Sequence, residues 1–298
     1  MDARKEVTIV THSSKFHPDD VFGVATLLLV LEKDNNVKVV RSRDPEIVSR
    51  ADFKVDVGGV YDSEKNYFDH HQTGGAGVRD NTVPYASFGL VWKKHGEQLC
   101  QNKEIAEKID QLLVQPIDAY DNGVEFVQTT IENLRPIDIR ELMYVFRPTW
   151  KEDTDLDALF LKLVGYAQVI LFRFIKTKND EREARELVME AYNTAEDKRV
   201  IILDERYPWE EVLMQLPEPL FVVYPKRVDN TWSLKTISNG TRYQSRKDLP
   251  ESWAGKNDEE LEKITGVSGS IFCHNRRFLA VAKTKEAILE LAQIALKS

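Results

Sequence analysis

The chain has 298 residues, 42% hydrophobic and 30% charged, which is enough apolar material for one large domain or two ordinary ones and excludes compositional disorder. Two cysteines, Cys100 and Cys273, exclude a disulfide framework or an all-cysteine zinc site within one chain, so any metal must sit on histidines and carboxylates. A formal net charge of −8 argues against nonspecific wrapping of long nucleic acid, while a small or short-strand anion stays compatible if metal ions supply local positive charge.

In chain order, EVTIVTH reads as a strand, Asp19 to Glu32 as an apolar-faced helix, VKVVRSR as a second strand, PEIVSRA as a short helix and FKVDVGG as a third strand. This alternation predicts an α/β fold with a parallel sheet flanked by helices. A glycine-rich loop around Gly74, Gly75 and Gly77 precedes helix-like stretches at Tyr85 to Cys100, Lys103 to Val114 and Ile137 to Val145. Asp155 to Lys198 has helical spacing of apolar residues and reads as a helical connector with a break near Thr177 to Asp180. Strand patterns then return at RVIILDE, LFVVYPKR, TWSLKTI and SIFCHNRRFLAVA, and a helix from Lys285 to Leu296 ends the chain. The expected domains are therefore residues 1–198 and a smaller α/β domain at residues 199–298. The opening MDARKEVTIV lacks the pattern of a signal peptide, and VATLLLVL is too short for a bilayer span, so a cytoplasmic location without membrane attachment is expected.

The polar clusters fall after strands, where open α/β sheets place their sites. The first strand delivers His12, Ser13, Ser14, Lys15 and His17, then Asp19 and Asp20 at a helix start, where acidic residues are also common simply as complements to the helix dipole. Asp56 stands amid apolar residues, a costly placement unless it is paired or metal-bound. Asp69-His70-His71 offers three donors in a row whose side chains diverge, so at most two should face one centre while the third orients a ligand or meets substrate. In Ile117-Asp118-Ala119-Tyr120-Asp121-Asn122-Gly123 either aspartate is placed to complete a mixed imidazole and carboxylate site, although Asn-Gly is also an ordinary turn. Such donors suit Mn²⁺ and Mg²⁺ better than a structural zinc. His95, beside Lys93 and Lys94, reads as solvent-exposed.

Together these segments resemble the DHH phosphoesterase superfamily, named for the run that stands here as Asp69-His70-His71. More closely, the chain resembles the melanocyte proliferating gene one family, often labelled metal-dependent protein hydrolase. The matching text is THSSKFHPDD, RSRDP, VDVGGVYD, YFDHHQ, DAYDNG, SIFCHNRRF and KTKEAILELA. The resemblance implies two divalent ions, usually manganese, between an N-terminal DHH-type domain and a C-terminal substrate domain. By position, His12, His17 and Asp56 would hold one ion. Asp19, Asp56, His70 and either Asp121 or Asp118 would hold the other, with Asp121 favoured because Asp-Asn-Gly resembles a turn in relatives. The implied activity is 3′-to-5′ exonuclease action on RNA.

On that resemblance His71 would contact the phosphate and Asp69 would orient its neighbouring histidine. Arg41 and Arg43, after the second strand, are candidates for a further phosphate, against the ordinary reading of strand-end arginines as solubilising. His274, Arg276 and Arg277 are candidates for reaching substrate from the C-terminal domain. Relatives have a Gly-Gly step soon after the equivalent Phe, where this chain reads Phe278-Leu279-Ala280-Val281-Ala282, which argues against close backbone approach of phosphate. Trp232, Tyr243 and Trp253 suit base stacking or a core.

The leading expectation is a phosphodiesterase on short RNA or oligonucleotides, with homo-oligomerisation compatible. A second keeps the site but makes the substrate a small nucleotide or pyrophosphate. A third, a non-catalytic metal- or nucleotide-binding protein, fits poorly with a full set of ligand types. Protein hydrolysis fits worse, since neither HExxH nor a nucleophile elbow is present.

Overall fold

The computed structural model describes residues 4–241 and 244–298, which form two compact units divided between Lys178 and Asn179. Each has its own five-stranded sheet and buried core, and the class is α/β.

In the first unit β1 (Lys5–Thr11), α1 (Pro18–Leu31), β2 (Asn35–Arg41), α2 (Pro45–Ser49) and β3 (Phe53–Val55) follow the expected order. Val7, Ile9 and Val10 bury β1 in the sheet centre. Pro18 opens α1, and the Asp20 carboxylate accepts from the His17 N–H at 2.8 Å, which satisfies a donor just outside the helix. The short strands β4 (Tyr61–Asp62) and β5 (Tyr67–Phe68) were not legible in the sequence, being shorter than any alternating pattern. The order is β2-β1-β3-β5-β4, parallel except where β4 runs against β5, so the expected parallel sheet is in fact mixed at one edge.

Behind the sheet come α3 (Ser87–Cys100), α4 (Lys103–Ile109), a π-helical turn (Asp110–Val114), α5 (Gln115–Asp121) and α6 (Ile139–Tyr144). Gly23 is required where α1 crosses β3: a Cβ there would stand 2.8 Å from Val55 Cγ1. His95 corrects the exposed reading. It is buried on α3, with its ring 6.0 Å from Phe68 and 6.4 Å from Phe53, and burial lowers its pKa.

Helix α7 (Leu156–Thr194) is continuous through Thr177 to Asp180, where a break was expected. No proline or glycine stands there, and Thr, Asn and Asp disfavour a helix by only a few tenths of a kcal/mol each. The division between compact units therefore falls inside this helix, earlier than the expected boundary at Lys198. Among the described residues α7 is long and apolar enough to cross a bilayer by length and composition. Its stripe of Phe160, Leu163, Val164, Ala167 and Leu171 is buried in the core of the first unit, while Leu161, Tyr166, Val169 and Phe172 on the same helix are exposed.

The second unit contains β6 (Val200–Ile202), α8 (Glu210–Met214), β7 (Phe221–Lys226), β8 (Thr231–Thr236), α9 (Asp258–Thr265), β9 (Ser270–Cys273), β10 (Leu279–Ala282) and α10 (Lys285–Lys297). Its sheet runs β6-β7-β8-β10-β9, with only β6 and β7 parallel. Trp253 is fully buried and Trp232 packs against the same core, while Tyr243 lies outside the described residues.

Replacing Phe160 with Ala is expected to cost about 3–5 kcal/mol of stability. Leu161→Ala, on the exposed side of the same turn, should change it by less than about 1 kcal/mol. Urea unfolding followed by circular dichroism measures both, and equal losses would refute this seating of α7.

Candidate metal centre

Strand register assembles the site. Thr11 pairs with Val55 and Val55 with Phe68, so the residues that leave β1, β3 and β5 emerge level along one sheet end. Those residues are His12, Asp56 and Asp69. The turn after β1 then feeds α1, which adds His17, Asp19 and Asp20, and the end of α5 supplies Asp121.

Asp56 is the hub. It is 3% exposed and its backbone has a φ of 54°, in the left-handed region that costs most residues energy but that Asp tolerates better than most. Its carboxylate meets His12 Nε2 at 3.2 Å, His71 Nδ1 at 3.3 Å, His70 Nε2 at 3.5 Å and the Ser87 hydroxyl, which donates at 3.3 Å. His12 Nε2 also approaches Asp20 at 3.1 Å, and His70 Nε2 approaches Asp121 at 3.1 Å. The Asp19 carboxylate accepts from the Ser87 and Phe88 N–H groups at 3.1 and 2.7 Å, at the N-terminus of α3 where the helix dipole favours an anion.

Within the three-residue run the two imidazoles stand side by side, ring centroids 4.4 Å apart, but differ in exposure. His70 points inward with its side chain 7% exposed, whereas that of His71 is 62% exposed. Asp69 accepts from His71 Nδ1 at 2.8 Å and from the Gly59 N–H at 2.6 Å, so it braces His71 against the loop after β3. The His71 Nε2 edge is left to face a cavity of about 240 Å³ lined also by His17, Asp19, Tyr120, Asp121 and Arg140.

Electrostatics tighten this arrangement. Burial opposes a charge on His12, but the carboxylates of Asp20 and Asp56 outweigh it and push its pKa up to about 10. The same balance, with Asp121 and Asp56 as partners, takes His70 to about 11. Asp56 and then Asp69 lift His71 to about 9. Burial raises Asp19 well above the ordinary carboxylate value, reinforced by Asp121 and Asp56, and burial raises Asp20 despite His12. Burial pushes Asp56 the same way, yet the imidazoles of His12, His70 and His71 hold it below the usual range.

The donor set fits divalent cations. Three overlapping groups bring their ligand atoms within 4.8 Å of one another: His12, His17 and Asp56; Asp56, His70 and His71; Asp19, His70 and Asp121. His12 Nε2, Asp20 Oδ2 and His70 Nε2 are buried without hydrogen-bond geometry, although opposing atoms lie close by. Convergent donors that meet one another at short range but out of alignment are arranged around a third body, and nitrogen with carboxylate oxygen suits Mn²⁺ or Mg²⁺. Asp20 and Ser87 were missed as members of this cluster. The doubled Asp19-Asp20 was the available signal for the first; nothing near Ser87 marked it.

Asp118 and Asp121, left as alternatives by the sequence, occupy different environments. Asp118 is buried against Arg79 Nη1 at 2.8 Å and accepts from the Gly89 N–H at 3.0 Å. Burial pushes it up to about 7 against the pull of Arg79. Arg79 also pairs with Asp110 at 2.8 Å and lies over Tyr85. Gly89 is obligatory beside them, because a Cβ would fall 1.8 Å from Asp118 Oδ2.

Other expected substrate groups are distributed differently. Arg41 is turned inward: its side chain is 2% exposed, donates to Asp157 at 2.7 Å and to the Ser14 carbonyl at 2.6 Å, and lies over Phe160. That corrects its reading as a phosphate ligand, since its donors serve the fold. Arg43 is exposed on the loop after β2. His274, Arg276 and Arg277 sit on the turn between β9 and β10, with His274 Nδ1 accepting from the Arg276 N–H and Arg277 paired to Asp248 at 3.1 Å. The non-glycine residues Leu279–Ala282 form β10 itself.

Imidazoles at these raised values are protonated near pH 7.5 and must lose that proton to ligate. Binding of Mn²⁺ is therefore expected to release protons and to tighten as pH rises from about 7 toward 9, read by calorimetry in buffers of different ionisation heat; no proton release would exclude imidazole ligation. Because the folded values exceed the unfolded value of about 6.5, the imidazolium pairs stabilise the metal-free fold fully below about pH 6. That contribution disappears as pH climbs through the range 9 to 11. Asp121→Asn should lose bound Mn²⁺ with little loss of stability, whereas Asp118→Asn should retain it and cost about 1–3 kcal/mol by leaving Arg79 short of a partner. Metal analysis and thermal melts separate the two, and the reverse pattern would overturn the assignment.

With this geometry in place, comparison with known proteins is informative. Residues 8–296 match the family model MYG1_exonuc, described as uncharacterised protein family UPF0160. The MYG1 protein of Saccharomyces cerevisiae is 31% identical, with 99% of this chain and 97% of that one aligned. The MYG1 protein of Schizosaccharomyces pombe is 30% identical over 97% of each. A human protein named MYG1 exonuclease is 29% identical over 97% of this chain and 85% of its own. A solved exopolyphosphatase-related protein from Bacteroides fragilis aligns over 99% of this chain and 93% of its own at 11% identity, with a TM-score of 0.24, too low to carry an argument. Matched along nearly its whole length by the family model and by these relatives, the chain belongs to the MYG1 family.

Proposed function

We propose that this chain is a divalent-metal-dependent phosphodiesterase of the DHH type, acting as a 3′-to-5′ exonuclease on RNA or short oligonucleotides. The observation that carries the reading is the overlap of candidate ligand groups on Asp56 and His70, an arrangement in which one buried carboxylate could serve two neighbouring cations. Relatives named MYG1 exonuclease support the reaction class. His12, His17 and Asp56 would hold one ion, and Asp19, Asp56, His70 and Asp121 the other. Divalent ions there supply charge neutralisation for a phosphate and acidity to water.

The chain's own groups supply the rest. Ser87 and Phe88 fix Asp19, and Asp69 fixes the ring of His71. Asp69 accepts from His71 Nδ1 and favours the imidazolium, whose Nε2–H would donate to a phosphoryl oxygen or to the departing oxygen. Tyr120, Ile139 and Tyr144 contribute ring and aliphatic surface to the wall of the cavity that His71 lines. The small size of this cavity favours one specific alternative, hydrolysis of a small phosphorylated nucleotide or pyrophosphate. A cytoplasmic setting is part of the same proposal.

A 5′-labelled RNA series tested with Mn²⁺ or with EDTA, beside dinucleotides and pyrophosphate, distinguishes these readings. The expected result is a Mn²⁺-dependent ladder shortening from the 3′ end, with kcat/KM reduced at least about 100-fold in His71→Ala. Cleavage of the small compounds alone would transfer the function to nucleotide turnover, and no hydrolysis of any would refute the phosphodiesterase reading.

A further inference from the structure

The segment between α5 and α7 carries chemistry that the proposed ligands and the His71 brace do not use. Arg140, near the start of α6, lines the cavity beside the candidate centre, and it also lines a second cavity of about 510 Å³. Tyr120 is shared by the two walls in the same way. The Arg140 guanidinium lies over the Tyr120 ring, 4.5 Å from its centroid, and keeps an ion pair with Asp138 at 3.3 Å. The Phe126 ring stands 4.8 Å from that of Tyr120 at a tilt of 49° and is about half exposed. Val127 beside it is also 45% exposed, so the second cavity has an open apolar wall next to a cation.

This segment is tied down at the site. Arg147 donates to the Phe16 carbonyl and lies over Tyr144, so the end of α6 is fastened to the loop that carries His12 and His17. Asp138 caps α6 by accepting from the Glu141 N–H at 2.9 Å, and Arg140 lies in that capped first turn.

Size divides the two cavities by content. The space at the candidate centre falls below the roughly 300–1,000 Å³ of ordinary small-ligand pockets, and the adjoining one lies inside that range. The first accommodates a phosphate group and the second a nucleoside. A half-exposed Phe beside a Tyr already stacked with Arg is a surface on which a base can lie, and such stacking is tolerant of base identity because every base has a π-face. Arg140 stands between the two spaces, where a phosphate oxygen would be within its reach and a planar guanidinium can bind it in fork geometry.

We propose that Tyr120, Phe126, Val127 and Arg140 form a subsite for the nucleoside attached to the scissile phosphate, with Arg140 receiving a phosphate oxygen and the Phe126 face receiving the base. This rests on the phosphodiesterase reading and assigns its substrate contact to the segment after Asp121. It predicts sequence-tolerant binding of a nucleotide with a free base, and poor use of diesters that lack one.

The test compares the Mn²⁺-loaded full chain with Phe126→Ala, Phe126→Trp and Arg140→Gln on the dinucleotide pApA and on methyl p-nitrophenyl phosphate. Phe126→Ala should lower the kcat/KM ratio of dinucleotide over methyl diester by roughly tenfold or more, mainly through KM. Phe126→Trp should restore that ratio, and Arg140→Gln should raise KM for the dinucleotide. If the wild-type chain cleaves both compounds and the ratio is unmoved by these changes, or Trp fails to restore it, the subsite is refuted while the phosphodiesterase reading stands. If the wild-type chain cleaves neither, equilibrium binding of 2-aminopurine-labelled dinucleotide decides: binding weakened at least tenfold in Phe126→Ala supports the subsite, and absent or unchanged binding overturns it.

Discussion

A carboxylate withdrawn from water is tolerated only when cations or dipoles replace its hydration, and Asp56 imposes that condition on the first unit. It leaves β3 in a left-handed backbone conformation and turns its side chain beneath His12, His70 and His71. The strands beside it must then end level, as the pairing of Thr11 with Val55 and Val55 with Phe68 requires. Helix α1 must also come close, which Gly23 permits by leaving Val55 uncovered. His17, Asp19 and Asp20 arrive near Asp56 as a consequence of that packing.

Charge compensation is arranged in two tiers. Asp118 and Asp110 are neutralised within the protein by Arg79, and Arg41 is similarly spent on Asp157 and backbone carbonyls. Around Asp56, by contrast, Asp20 and Asp121 meet imidazoles, whose charge depends on a proton, and Asp19 is held by the backbone N–H groups of Ser87 and Phe88. Among the described residues, the demand for an external cation is therefore strongest around Asp56. Asp121 and Asp118, one helical turn apart, fall on opposite sides of this division, which is how two aspartates in one short motif come to serve different ends.

The Asp69-His70-His71 run shows the same economy of geometry. The two imidazoles lie side by side, ring centroids 4.4 Å apart and both against Asp56, yet His70 is buried in the cluster while His71 reaches the cavity edge. Asp69 folds back to hold His71 and a loop N–H together. The mobile choice for an exposed histidine is removed without burying the nitrogen that would meet substrate.

Much of this was legible in the amino-acid order. Alternating strand and helix patterns marked the α/β class, polar residues at the ends of apolar strand patterns marked His12 and Asp56, and three adjacent donors marked the run at Asp69, because these are sequence-local properties. Pairing across the sheet is not. The inward turn of Arg41, the burial of His95 between Phe53 and Phe68, and the capture of Asp118 by Arg79 each depend on residues far away in the chain. The two-residue strands β4 and β5 were too short to show a period, and α7 passed through a polar stretch whose weak helix propensity could not stop it. Sequence alone determined which donors exist and that they follow strands. Only tertiary packing decided which share a centre, because burial and charge compensation are set by the neighbours that folding brings within a few ångströms.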